Sequence, residues 1–188
     1  MTQNRVQLVV LCEDRQQEIF ALNFLNNRGF ELDFKNVQVN KSPKGRGSGE
    51  RYVINNYPKE VRAFRRKNYR SGMLVVVIDA DKATVTETLK ELDNALIQNS
   101  LELRQPNEAI AIFIPKRNIE TWIHYLQSET VNEIDAYSKF NKNESICKPY
   151  VEQLANKCKK GILDENTPPS LQVACGELQR ILPLLDKL

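Results

Sequence analysis

Residues Leu74-Val75-Val76-Val77-Ile78 are apolar without interruption, four of the five are β-branched, and Asp79-Ala80-Asp81 follows at once. A run with no polar side is buried on both faces, which predicts a central strand of a parallel sheet. Residues i and i+2 of an extended chain point the same way, so Asp79 and Asp81 are expected side by side at the strand's carboxyl end. Open α/β sheets place their sites there. Adjacent carboxylates repel each other unless a cation lies between them, and hard divalent ions such as Mg2+ favour an all-oxygen ligand set of this kind.

A chain of 188 residues can bury one ordinary α/β core with a small addition. No stretch reaches the roughly eighteen consecutive apolar residues of a transmembrane helix. Met1-Thr2-Gln3-Asn4-Arg5 runs straight into a strand-like segment and lacks the features of a signal peptide. A cytoplasmic protein with no membrane partner is the expectation. Cys12, Cys147, Cys158 and Cys175 are far apart and form no Cys-x-x-Cys pair, so free thiols are expected in preference to zinc ligands.

The net charge of +3 conceals a sharp division. Between Lys41 and Arg70 ten basic residues face only Glu50 and Glu60, whereas the remainder holds 17 basic and 22 acidic residues. A polyanion would be drawn to that one region.

Strand and helix patterns alternate along the first two thirds of the chain. Arg5–Leu11 reads as a first strand and Gln16–Asn27 as a helix with an apolar face of Ile19, Phe20, Ala21, Phe24 and Leu25, closed by Gly29. A short strand is expected at Val37–Val39. Ser42–Arg51, with three glycines among basic and polar residues, reads as a mobile loop. Pro58 suits the first turn of a helix that runs to about Lys67. After the Asp79/Asp81 strand, a helix over Thr84–Gln98 carries Val85, Leu89, Leu92 and Leu96 at helical spacing. Ala109–Ile114 reads as a fourth strand, and a helix capped by Asn118 carries Ile119, Trp122, Ile123 and Leu126.

That alternation predicts an α/β fold, a mainly parallel four-stranded Rossmann-like sheet flanked by helices. Beyond Gln127 there is no strand pattern. Helical stretches near Lys148–Lys159 and Ser170–Leu185, joined by a Gly161–Pro169 linker, predict a helical C-terminal extension. The expected division is 1–127 for the sheet domain and 128–188 for the extension.

The first strand closes in Cys12-Glu13-Asp14. If strands one and three are neighbours, Glu13 faces Asp79 and Asp81 across a crevice, and three carboxylates there would form a metal site. Glycines that would admit a phosphate are absent after this strand, which argues against Rossmann or Walker nucleotide binding.

A Glu closing the first strand and a later strand closing in Asp-x-Asp resemble the Toprim domain of topoisomerases, bacterial primases and several nucleases. Glu13, Asp79 and Asp81 match its motifs, and Asp14 stands where the family usually has Gly. Glu18 matches the acidic position of the overcoming-lysogenization-defect nucleases. The resemblance spans about Arg5–Leu126. The small Toprim-like proteins of bacterial defence systems also tend to carry a Glu near a Trp after the fourth strand, a feature resembled by Glu120-Thr121-Trp122. A Glu in a first helical turn is equally favoured by the helix dipole.

The resemblance implies a nuclease that hydrolyses DNA or RNA with Mg2+ or Mn2+, in an antiviral defence or mobile-element setting. Metal would be held by Glu13, Asp79 and Asp81, with Glu18 and Glu120 as further catalytic acids. Defence nucleases of this type often work with an ATPase, and the chain has no P-loop, so a separate ATPase partner is expected. Lys41, Lys44, Arg46, Arg51, Arg62, Arg65 and Arg66 would contact nucleic acid, joined by Lys116 and Arg117 near the scissile phosphate. Tyr52, Tyr57 and Tyr69 could stack on bases, though helix packing suits each better. His124, four residues after Glu120, shares its helical face and suits packing better than metal binding. Two alternatives remain open: a non-catalytic Toprim-like module that binds nucleic acid or a partner, and a receiver-like phosphoacceptor domain using Asp79.

Overall fold

The computed structural model describes residues 7–26, 36–67 and 72–185. Four strands, β1 (Gln7–Cys12), β2 (Val37–Lys41), β3 (Gly72–Val77) and β4 (Ile110–Phe113), form one sheet in the order β2-β1-β3-β4. Every pairing is parallel, with Val10 opposite Val75 and Val77 opposite Phe113. The carboxyl ends of β1 and β3 are therefore neighbours.

Helices cover both faces, which explains why β3 and β4 are apolar throughout, whereas β2 at the edge of the sheet carries Gln38, Asn40 and Lys41. Leu8, Val10 and Cys12 of β1 and Met73, Val75 and Val77 of β3 turn toward α1 (Arg15–Asn26) and α4 (Ile119–Leu126). Leu11, Leu74, Val76 and Ile78 turn the other way, onto α2 (Gly49–Arg66) and α3 (Val85–Gln98). Phe20, Phe24 and Trp122 fill the first layer, and Tyr57, Leu92 and Leu96 the second. Thr84 closes a full capping box with Glu87 at the start of α3.

α2 begins earlier than its proline suggests. The Ser48 hydroxyl accepts the Arg51 N–H and caps a helix that starts at Gly49, so Gly49, Glu50 and Arg51 are helical and Pro58 lies inside. Pro58 removes one helical hydrogen bond, and the burial of Val53, Tyr57 and Val61 against the sheet holds the helix through it. Asn118 occupies the cap position of α4, but its side chain accepts the Thr121 hydroxyl at 3.0 Å and donates to the Tyr137 carbonyl at 3.1 Å. The expected cap at Gly29 lies outside the described residues, as does Tyr69.

The C-terminal segment supplies a 3-10 turn (Glu144–Cys147), α5 (Lys148–Lys160) and α6 (Pro169–Leu185). Val151, Leu154, Leu171, Ala174 and Leu178 belong to the same apolar cluster as β1, β3 and α1. α6 also closes the outer edge of β4. Glu177 accepts the Ile112 N–H at 3.1 Å, and Arg180 donates to the Ile110 carbonyl at 2.6 Å. Side chains thus occupy the polar groups that an open edge strand would expose.

Cys158 of α5 and Cys175 of α6 are joined by a disulfide, with Cα atoms 5.3 Å apart. This corrects the expectation of four free thiols; Cys12 and Cys147 are free and buried. Spacing along the chain could not reveal the pair, because helix packing brings the two together. Among the described residues, no helix is long and apolar enough to cross a membrane.

Candidate active site

Glu13 and Asp14 follow β1, and Asp79 lies just beyond β3. Strand alternation continues through Ile78 and Ala80, both buried against α2 and α3, so Asp79 turns toward the α1 side. Glu13 Oε1 accepts the Asp79 backbone N–H at 2.6 Å. Parallel pairing of β1 with β3 makes this contact.

Gln17, fully buried in the first turn of α1, grips Glu13 twice. Its Oε1 accepts the Glu13 N–H at 2.9 Å, and its Nε2 donates to Glu13 Oε1 at 3.4 Å. Asp14 caps the same helix, with Oδ1 accepting the Gln17 N–H at 3.0 Å. A helix that starts directly after the strand uses a capping residue here, which accounts for an Asp at this position. On the other side Glu13 lies against Gly49: a Cβ at Gly49 would fall 2.7 Å from Glu13 Cβ and 2.9 Å from its Oε2. The glycine is what lets Glu13 approach the start of α2.

These acids meet in a poorly solvated place. Burial pushes the Glu13 carboxyl up to about 7, against the Asp79 N–H and Gln17, which favour its charge. Burial, and then repulsion from Glu13, Glu120 and Asp14, holds Asp79 well above the usual carboxylate range, against a hydrogen bond from the Gln17 side chain that favours its charge. Asp79 Oδ1 is buried without a hydrogen-bond partner. Glu120, buried in the first turn of α4, is pushed up to about 7 chiefly by burial, with Asp14 adding to it.

Asp81 departs from the expected arrangement. Its φ of 50° lies in the left-handed region, its N–H is held by the Arg117 carbonyl at 3.1 Å, and its side chain is exposed. The chain has left the strand before Asp81, so the Asp-x-Asp pair does not line up as a simple strand repeat. Glu18 forms an ion pair with Lys41, so these two acid and base candidates engage each other. Among the described residues, no group of three or more His, Cys, Asp or Glu side chains is close enough to hold one metal ion. The expected three-carboxylate cage of Glu13, Asp79 and Asp81 is therefore not assembled.

The basic run is divided by the direction of α2. Its start touches Glu13, whereas Phe64 near its end touches Gly72 at the start of β3, so the helix descends from the carboxyl to the amino end of the sheet. Lys41, Lys44, Arg46 and Arg51 lie at the acidic end. Arg62, Arg65 and Arg66 lie about 20 Å away by helical rise, which corrects the single basic region read from the sequence. Arg65 forks onto Glu108 at 2.7 and 3.0 Å and reaches the carbonyls of Glu102 and Leu103, and Arg62 donates to the Asn99 carbonyl. Both tie α2 to the chain ahead of β4.

Lys44 and Arg46 are exposed in a loop whose Gly45 and Gly47 have φ of 73° and 80°. The Lys116 ammonium is bound by the Ala83 carbonyl at 2.8 Å. Arg117 Nε is buried without a partner, an unpaired donor on the same rim as the unpaired Asp79 oxygen. His124 pairs with Glu129 at 2.8 Å and packs on Phe140 and Tyr137. Tyr57 is buried in the core and Tyr52 packs against it.

Sequence reasoning passed over Gln17 and Gly49. Gln17 could have been found from its i+4 spacing to Glu13. Nothing local marks Gly49, because its neighbour is 36 positions away. Comparison with family models, with curated proteins and with solved structures finds no match to this chain.

Proposed function

We propose that this chain is a divalent-metal-dependent nuclease of the Toprim type. The observation that carries the reading is the Glu13–Asp79 pair, two half-buried carboxylates from neighbouring strand ends, with one buried Asp79 oxygen unsatisfied. A buried polar atom without a partner is rare and asks for an explanation, and a bound cation supplies one. The donor set is all oxygen, which fits Mg2+ or Mn2+. Mg2+ is commonly held by only one or two carboxylates and keeps its waters, so two ligands suffice where a cage of three is missing.

Glu13 and Asp79 are the residues that would hold the ion, with Asp81 at the exposed rim. A bound divalent ion would lower the pKa of water and stabilise charge on the phosphoryl oxygens. Glu120 is assigned to proton transfer, since a carboxyl titrating near 7 can both hold and release a proton at neutral pH. Arg117 is assigned to the phosphate, and Lys44 and Arg46 on their glycine-hinged loop to the flanking backbone. Lys41 and Glu18 would act as a pair that shapes the wall between β2 and α1.

The test is incubation of the purified chain with Mg2+ or Mn2+ and single-stranded, duplex and structured DNA and RNA, beside Asp79→Asn. Cleavage that disappears in the variant is expected. Binding without cleavage in the unaltered chain would replace the nuclease with the non-catalytic module. The defence setting and a separate ATPase partner rest on the Toprim resemblance, and full activity of an isolated monomer in gel filtration would remove the partner.

A further inference from the structure

We propose that Gln17 is a positioning residue that locks the Glu13 side chain in one rotamer, with Oε1 occupied and Oε2 presented to a cation. The second half of this statement rests on the metal-dependent reading, and the first does not. Glu13 Oε1 receives two donors, the Asp79 N–H at 2.6 Å and Gln17 Nε2 at 3.4 Å. No donor among the described residues is bonded to Oε2, which faces the side of Gly49 that lacks a Cβ. Gln17 also accepts the Glu13 backbone N–H at 2.9 Å, so a single carboxamide holds both ends of the residue.

Only an amide of this length does both. It needs an acceptor for the N–H and a donor for the carboxylate, and a Glu at this position would offer no donor when ionised. Gln17 is itself fixed: it is fully buried, and the Asp14 cap holds its backbone N–H. Its neighbour Gln16 turns away, donating to the Glu144 carbonyl at 3.1 Å and to Cys147 Sγ at 3.4 Å. The two adjacent glutamines therefore separate positioning of Glu13 from anchoring of α1.

The experiment compares the unaltered chain with Gln17→Leu, Gln17→Glu and Gln16→Ala, each checked for folding by circular dichroism. Carbon-13 and proton NMR of the Glu13 γ-methylene reports its rotamer without metal, and calorimetry with Mn2+ alone reports affinity. Gln17→Leu is expected to average the Glu13 rotamer and to weaken Mn2+ binding by about tenfold, the usual range for a lost orienting partner. Gln16→Ala is expected to lower the melting temperature and leave both readings unchanged. If Gln17→Leu does not fold, Gln17→Glu, which keeps the acceptor, decides by the same signals. A Glu13 rotamer identical in the Gln17 variants overturns the proposal. An unaltered chain that binds no Mn2+, yet loses its Glu13 rotamer in Gln17→Leu, overturns the metal reading and leaves the positioning role standing.

Discussion

Glu13 Oε1 accepts the backbone N–H of Asp79 at 2.6 Å, joining the ends of two adjacent parallel strands through a carboxylate. The bond places a charge-bearing group where burial opposes charge, and it leaves the Asp79 side chain in the same environment. The acidic rim is thus costly to the fold when it carries no counter-charge.

Asp79→Asn should separate that cost from function. The variant keeps the shape and removes the cost of holding an ionisable carboxyl in a buried place, so the melting temperature in chelator is expected to rise by about 2–4 °C for each kcal/mol relieved. Cleavage should fall by on the order of 10²–10³, as for other lost electrostatic groups at reacting centres. Calorimetric melting and a cleavage assay on the same preparation check both.

The metal-free protein should lose stability as pH rises through the window from about 4.5 to about 7. Glu13 and Glu120 titrate near 7 in the fold against an ordinary 4.5, so within that window the folded chain holds protons the unfolded chain has released. Stability from these groups is full below the lower limit and lost above the upper one. Glu108 and Glu177 are held below their ordinary value by arginines and act only in more acid solution. Melting in chelator at pH 5.5 and pH 8 should show the decline, and Mg2+ added at pH 8 should reverse it.

Gly49→Ala should destabilise, although alanine is the better helix former by about 1 kcal/mol. The added Cβ would lie 2.7 Å from Glu13 Cβ, and relief requires Glu13 or the start of α2 to move. A loss of about 1–3 kcal/mol in denaturant melts is expected from the overpacking. An unchanged or raised midpoint would show that Glu13 does not pack there.

The divided basic run predicts two unlike outcomes. Lys44→Ala with Arg46→Ala should weaken nucleic-acid binding, reduce its salt dependence by up to about two counterions and leave melting unchanged. Arg65→Ala should leave the salt slope alone and cost about 1.5–3 kcal/mol, because it removes a charged fork onto Glu108. Fluorescence anisotropy across a salt series, beside melting curves, distinguishes them.

Glu177→Ala should expose the edge of β4. The carboxylate accepts the Ile112 N–H and pairs with Arg104 and Arg180, so its removal leaves that N–H unpaired and takes the counter-charge from two arginines that keep only backbone carbonyls. A loss of about 2–3 kcal/mol and concentration-dependent aggregation by light scattering are expected.

Much of the fold was readable because its signals are local. The apolar run of β3 declares a strand buried on both faces, and the 3.6-residue spacing of Phe20 and Phe24 or of Leu92 and Leu96 declares which helix faces turn inward. The start of α2 was misread because Pro58 is a strong local signal, while the cap that actually starts the helix is a single serine in a glycine-rich stretch. The separation of Arg62, Arg65 and Arg66 from Lys44 and Arg46 was invisible for a different reason. Linear charge density carries no direction, and a helix 18 residues long carries its two termini to opposite ends of the strands it packs on.

Taken by itself, the order of residues determined that strands and helices alternate, that Glu13 and Asp79 terminate strands, and that the last third is helical. Tertiary structure alone decided that β1 and β3 are neighbours, that Gln17 and Gly49 flank Glu13, that Asp81 turns out of line, and that α6 seals β4 and meets α5 at Cys158 and Cys175. The reason is physical: periodicity and capping act over a few residues, whereas desolvation, edge pairing and the approach of one carboxylate to another depend on which distant segments pack together.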